Sequence, residues 1–173
     1  MKNLKQISKL FAILSIVFAA SCSSDDDFTP TDDDTMVEDT NLTGDIASDR
    51  ILDPSQQYTV SGSVFVKEGA KLTIPAGTEI VAEVGASNFI AVELGAEIDI
   101  QGTASLPVVM RSAGNNPGEW GGLLLCGKAP TTEGTNVIAE VAGLVYGGNE
   151  PTDSSGNIDY LIIRNAGAQI NAD

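Results

Sequence analysis

Two stretches of this chain repeat each other at a fixed distance. Val66-Lys-Glu-Gly-Ala-Lys-Leu-Thr-Ile74 is echoed by Val92-Glu-Leu-Gly-Ala-Glu-Ile-Asp-Ile100. Val66, Gly69, Ala70, Leu72 and Ile74 match Val92, Gly95, Ala96, Ile98 and Ile100, each at an offset of 26. A period of this size marks stacked units, each burying its apolar face only against its neighbours. Within each copy the apolar residues alternate, the two-residue period of a strand with one buried face. Gly-Ala and Pro-Ala-Gly-Thr corners punctuate the strands, and glycine permits the positive φ such corners demand.

The predicted fold is therefore all-β, a parallel β-helix (solenoid) with coils of about 26 residues. Each coil lies about 4.8 Å above the last, so Val66 sits under Val92 and Ile74 under Ile100 in the core. Outward-facing Lys71 then sits under Glu97. A β-sandwich is the alternative, since it also has short alternating strands, but it requires no period. A further step of 26 carries Gly95, Ala96, Ile98 and Ile100 to Gly121, Gly122, Leu124 and Cys126, which predicts a third coil. That register sends Leu123 and Leu125 outward. Either something covers that face or the register is off by one, which turns every side chain over.

Residues 1–21 read as a signal peptide: Lys2, Lys5 and Lys9, then an apolar run from Leu10 to Ala20 that is too short to span a bilayer. Ala19-Ala20-Ser21-Cys22 resembles the bacterial lipobox. The resemblance implies cleavage before Cys22 and lipidation of its thiol, and two or three acyl chains give stable membrane anchoring. Ser23-Ser24-Asp25-Asp26-Asp27 resembles the acidic tract that follows the lipidated cysteine in surface lipoproteins of Bacteroidetes. It implies a lipid-anchored place in the outer membrane, exposed at the cell surface; the periplasmic face is the alternative. Residues 22–50 read as an acidic disordered tether, rich in Asp, Thr and Ser and unable to offset its ordering entropy. Asp34-Thr35-Met36 resembles a short O-glycosylation sequon of the same bacteria, with Thr35 the acceptor. Residues 51–173 form the β-helix domain, with Ile46 and the Ile51–Pro54 stretch as a lead-in or cap. Residues 127–136 and 147–157 are predicted as protruding loops, and 158–164 as a last strand. The chain stops at Asp173 without a capping helix. An incomplete solenoid, or an edge covered by a partner or a second copy, would account for that.

The net charge is −15, and loss of the three leader lysines takes it to −18. Nucleic acid is excluded as a partner, because binding it depends on Lys and Arg neutralising phosphates. There is no histidine, which removes His-based triads, His bases and His metal ligands together. Cys126, on a Leu-Leu-Leu-Cys run, reads as a small buried side chain rather than a nucleophile, for which no His partner exists. The aspartate runs suggest Ca2+, but the D-x-D-x-D-G loop that wraps calcium is missing. No cofactor or metal site is predicted.

The segment "EGAKLTIPAGTEI", followed by "GEWGGLLLCGKAP", resembles bacterial surface lipoproteins with a right-handed parallel β-helix, over roughly residues 58 to 165. The resemblance implies the fold and supplies no catalytic residue. The leading functional expectation is a non-catalytic binding or adhesion scaffold for a glycan or a partner protein. Candidate ligand contacts are Glu97 and Asp99, which share one strand face, and Trp120, which could stack on a sugar. A tryptophan beside two glycines is more commonly a packing anchor. The alternative is a polysaccharide lyase or another carbohydrate-active enzyme, an analogy of fold. It would draw on Glu97 and Asp99, with Lys71, Arg111 or Lys128 as base.

Overall fold

The predicted ladder is present residue for residue. The computed structural model describes residues 39–168; Cys22, Thr35 and the aspartate runs lie outside them. Strand β3 (Gln57–Val66) serves two sides of a coil and β4 (Lys71–Pro75) the third. On the next coil, β5 (Glu79–Ala82) lies in parallel on the first half of β3 and β6 (Gly85–Val92) on its second half. Strand β7 (Glu97–Gln101) lies on β4. Val66 pairs with Val92, Leu72 with Ile98 and Ile74 with Ile100, at the offset of 26 read from the sequence. All six are completely buried. Removing such a side chain from water contributes about 1.5–3 kcal/mol, and each does so against its counterpart one rung away.

The domain begins earlier than residue 51. Strand β1 (Asn41–Ile46) pairs in parallel beneath β3, and β2 (Arg50–Ile51) beneath β4. This segment is a short first coil, with Leu42, Ile46 and Leu52 buried. Its polar composition hides the strand, because only Leu42 and Ile46 point inward.

The third coil exists in a different register. Strands β8 (Val108–Ser112) and β9 (Trp120–Leu125) lie on β5 and β6. Gly122 pairs with Phe89, Leu123 with Ile90, Leu124 with Ala91 and Leu125 with Val92. The stretch thus stacks on the strand before the one that a second step of 26 selects. The turn-rich loop between β8 and β9 consumes the difference. Leu123 consequently packs against the main core, and it is Leu124 and Cys126 that belong to a smaller cluster with Phe89, Ala91 and Leu144. Gly121 permits this close stacking, since a Cβ there would lie 2.8 Å from that of Phe89.

The corner between the second and third sides of this coil is expanded into an insertion, residues 126–155. It carries a small antiparallel hairpin, β10 (Val137–Ile138) with β11 (Val145–Tyr146). The stack then resumes with β12 (Gly156–Asp159) on β7 and β13 (Leu161–Ile163) on β8. The single strand expected over 158–164 is thus two strands on different sheets. The chain turns between them at Tyr160, with φ 44°.

A buried asparagine fixes another corner. Asn88 Oδ1 accepts from the Gly62 N–H at 2.6 Å, and its Nδ2 donates to the Glu83 carbonyl at 2.8 Å. It thereby ties one coil to the next where the ladder is interrupted.

At Gly156 the backbone has φ +127°, and a Cβ would fall 1.7 Å from the Ile98 carbonyl oxygen. Gly156→Ala should lower stability by about 3 kcal/mol, through strain and forced separation of β12 from β7. Urea denaturation measures this; an unchanged midpoint would contradict the close stacking.

Candidate functional site

Alternation places every second residue of β4, β7 and β12 on the outside of the solenoid. Pairing then aligns these residues into columns running up the coils. Lys71 lies beside Glu97, Thr73 beside Asp99 and Asn157, and Pro75 beside Gln101 and Asp159. The result is a polar sheet face in which amides alternate with carboxylates. Gln101 Nε2 donates to Asp99 Oδ2 at 2.7 Å, and Asn157 Nδ2 donates to Asp159 Oδ2 at 2.8 Å. These bonds hold the carboxylates in place and leave acceptor positions facing solvent. Glu97 and Asp99 are indeed on one face. Asn157 and Asp159 join them from a distant stretch, and only the register across the insertion could have revealed that.

Lys71 Nζ is 2.7 Å from Glu97 Oε2. The hydrogen bond and charge of Glu97 raise the Lys71 ammonium above its ordinary range, with Asp99 and Asp49 adding to the effect. A lysine acting as general base must be neutral near working pH, so Glu97 drives Lys71 the wrong way for that role. The other two candidate bases are elsewhere. Arg111 is on β8, bonded through Nε to Glu79 Oε1 at 2.7 Å, and Lys128 is in the insertion, 3.8 Å from Glu68. Among the described residues no group of three or more His, Cys, Asp or Glu is placed to hold a metal ion.

Trp120 is wholly buried, and its indole N–H donates to the Arg164 carbonyl at 2.8 Å. Its backbone bridges Gly85 below and Ala166 above. The sugar-stacking role considered for it is thus replaced by an anchoring role: the ring fills the core while the N–H ties down the last coil. Cys126 is also buried, and desolvation, followed by the nearby Glu93 charge, pushes its thiol pKa up. A thiol held protonated in this way is not a nucleophile.

A concave site lies at the insertion. A cleft of about 460 Å³ opens between the hairpin tip, Ala142–Val145, and the corners that follow β3 and β6. Phe65, Leu94 and Leu144 give it apolar walls, and Asp45, Lys67, Glu68 and Glu93 its charge.

Stacked parallel coils, one long corner insertion and one flat polar sheet face define the class: a parallel β-helix. More particularly, the chain belongs to the family of pectate-lyase-like β-helix domains, whose family model matches residues 44–173. No match was found among curated proteins or among solved structures.

The Arg111 bond, with a second from Gln57, lowers the Glu79 pKa from its ordinary 4.5. A depressed carboxylate contributes stability above its unfolded pKa and loses it as pH falls through the folded value. Glu79→Gln should therefore be less stable than the native protein at neutral pH, with the gap closing below about pH 4.5. Urea midpoints across that range test it; a gap independent of pH would mean that the ion pair contributes nothing. Both groups are about one-third exposed, so the effect is small.

Proposed function

We propose that this domain is a carbohydrate-binding β-helix module, carried on an exported protein anchored by lipid at Cys22 and displayed at the outer membrane surface. The observation that carries the glycan reading is the outward face of β4, β7 and β12. Amides and carboxylates recur there at the rung spacing of a parallel sheet, about 4.8 Å. Sugar hydroxyls are recognised by such planar donor–acceptor groups, and a rigid sheet holds them without ordering cost. Anchoring rests on the lipobox resemblance alone. Cys22→Ser should move the protein from the membrane fraction to the soluble fraction of its source cells; retention in the membrane would remove the anchor.

The family match favours a second reading, a polysaccharide lyase. Against it stand the protonated Lys71 and the scattering of Arg111 and Lys128 away from Glu97 and Asp99. One experiment separates the two. The protein, and a variant carrying Thr73→Ala, Asp99→Ala and Asn157→Ala, would be run through gels containing neutral or uronate polysaccharides. Products would be monitored for the conjugated double bond that elimination leaves, with and without calcium. A binding module predicts retardation by at least one polysaccharide, about tenfold weaker for the variant, and no unsaturated product. Unsaturated product would establish the lyase. Absence of both would sink the carbohydrate reading.

A further inference from the structure

We infer that the cleft beneath the insertion is a binding site for a primary ammonium ion carried on an apolar stem. It shares no lining residue with the polar sheet face and does not depend on the glycan reading. Its volume, about 460 Å³, falls within the range of small-molecule sites. The repeat alone does not make it: the corners at 67–70 and 93–96 are short, and the insertion at 126–155 builds the second wall.

The lining already displays the chemistry it accepts. Lys67 Nζ lies 2.5 Å from Glu93 Oε1 and 5.6 Å from the centroid of the Phe65 ring. This is an alkylammonium paired with a carboxylate over an aromatic face, an arrangement favoured by the ring quadrupole. The Phe65 ring is held in turn by an edge-to-face contact with Phe89 at 5.7 Å.

Lys67 satisfies one of the cleft's three carboxylates. Glu68, largely exposed, faces Lys128 at 3.8 Å, and Asp45 forms no ion pair among the described residues, although its charge also acts on the Lys67 ammonium. Both line the same cavity as Leu94 and Leu144. A further ammonium would balance the one remaining negative charge of Asp45 and Glu68 while its stem lay on the leucines. An anion would meet three carboxylates against two lysines, Lys67 and Lys128, and an uncharged ligand would gain nothing from the remaining negative charge.

Calorimetric titration of the full chain with hexylammonium chloride, and with hexan-1-ol as the neutral isostere, tests the site. We expect saturable binding of the ammonium, with the alcohol weaker by about tenfold or more. The double variant Asp45→Asn, Glu68→Gln should lose about tenfold in affinity, while Asp53→Asn, outside both the cleft and the polar face, should bind as the native protein does. No saturable binding, equal binding of the alcohol, or an unchanged double variant would overturn the inference. Should the double variant fail to fold, the unmodified protein decides. Resonances of Leu144 and Phe65 must shift as hexylammonium is added, and shifts confined to other residues would refute the site.

Discussion

Everything in this domain depends on the parallel ladder between successive coils. A single coil cannot satisfy its own backbone, because its N–H and C=O groups point up and down the stack toward neighbours. Nor can it bury its own apolar residues. Val64 and Ile90 share a column, and Tyr58, Ile80 and Met110 another. Stability is thus a sum over interfaces between rungs, in the manner of a one-dimensional array. Features that fix the vertical spacing acquire weight beyond their size. Asn88 bridges two coils at a corner, Trp120 ties the last coil through the Arg164 carbonyl, and Gly156 lets β12 descend onto β7.

The insertion explains an anomaly in the repeat. Outward residues of the lower coils are mostly polar, yet the second side carries Phe65, Phe89, Ala91 and Leu124 outward. These residues, together with Cys126, pack with Ala139, Val141, Leu144 and Tyr146 of the insertion. The solenoid therefore has a second, satellite core on its outside. The two ends of the insertion are tied to the coil below by Cys126 N–H donating to the Val92 carbonyl at 2.9 Å and by Ile98 N–H donating to the Ser155 carbonyl at 2.9 Å. A departure from the repeat thus creates the cleft, while the regular coils create the flat face.

How far the structure could be read in advance follows from the same distinction. The 66–74 and 92–100 copies have equal corners, so their offset is constant and the register is visible. From Gly102 onward the loops differ in length, and a fixed step selects the wrong neighbour: it puts Leu123 outward although its partner Ile90 is in the core. Of the two accounts of the Leu123 and Leu125 pattern, a cover or a shifted register, the shifted register occurs; the residues that the insertion covers are Leu124 and Cys126. Periodicity also misses the first coil, since two-residue β2 is too brief to alternate. Glu97 and Asp99 were legible as one face because they lie on one strand. Asn157 and Asp159 were not, because chain pairing across a long insertion leaves no local trace. Burial of Trp120 is the reading its glycine neighbours favour, and next to it Gly121 leaves room for Phe89, which a Cβ would strike.

Electrostatics narrows the partners further than the fold does. Lys67, Lys71, Arg111 and Lys128 each face a carboxylate: Glu93, Glu97, Glu79 and Glu68. Three of these pairs join adjacent coils, so the cations stitch rungs together rather than standing free. Exposed pairs of this kind add little stability, but they remove positive charge from circulation on a chain that is strongly acidic overall. A polyanionic partner would find few uncommitted cations and a repulsive field, and could approach only with a bridging metal ion. Neutral glycans and organic cations meet no such barrier. On the proposals made above, the flat face would take the first through its fixed amides and carboxylates, and the cleft the second through its three carboxylates against Lys67 and Lys128. The two proposed sites differ in origin as well as in chemistry, because the ladder fixes the flat face and the insertion shapes the cleft.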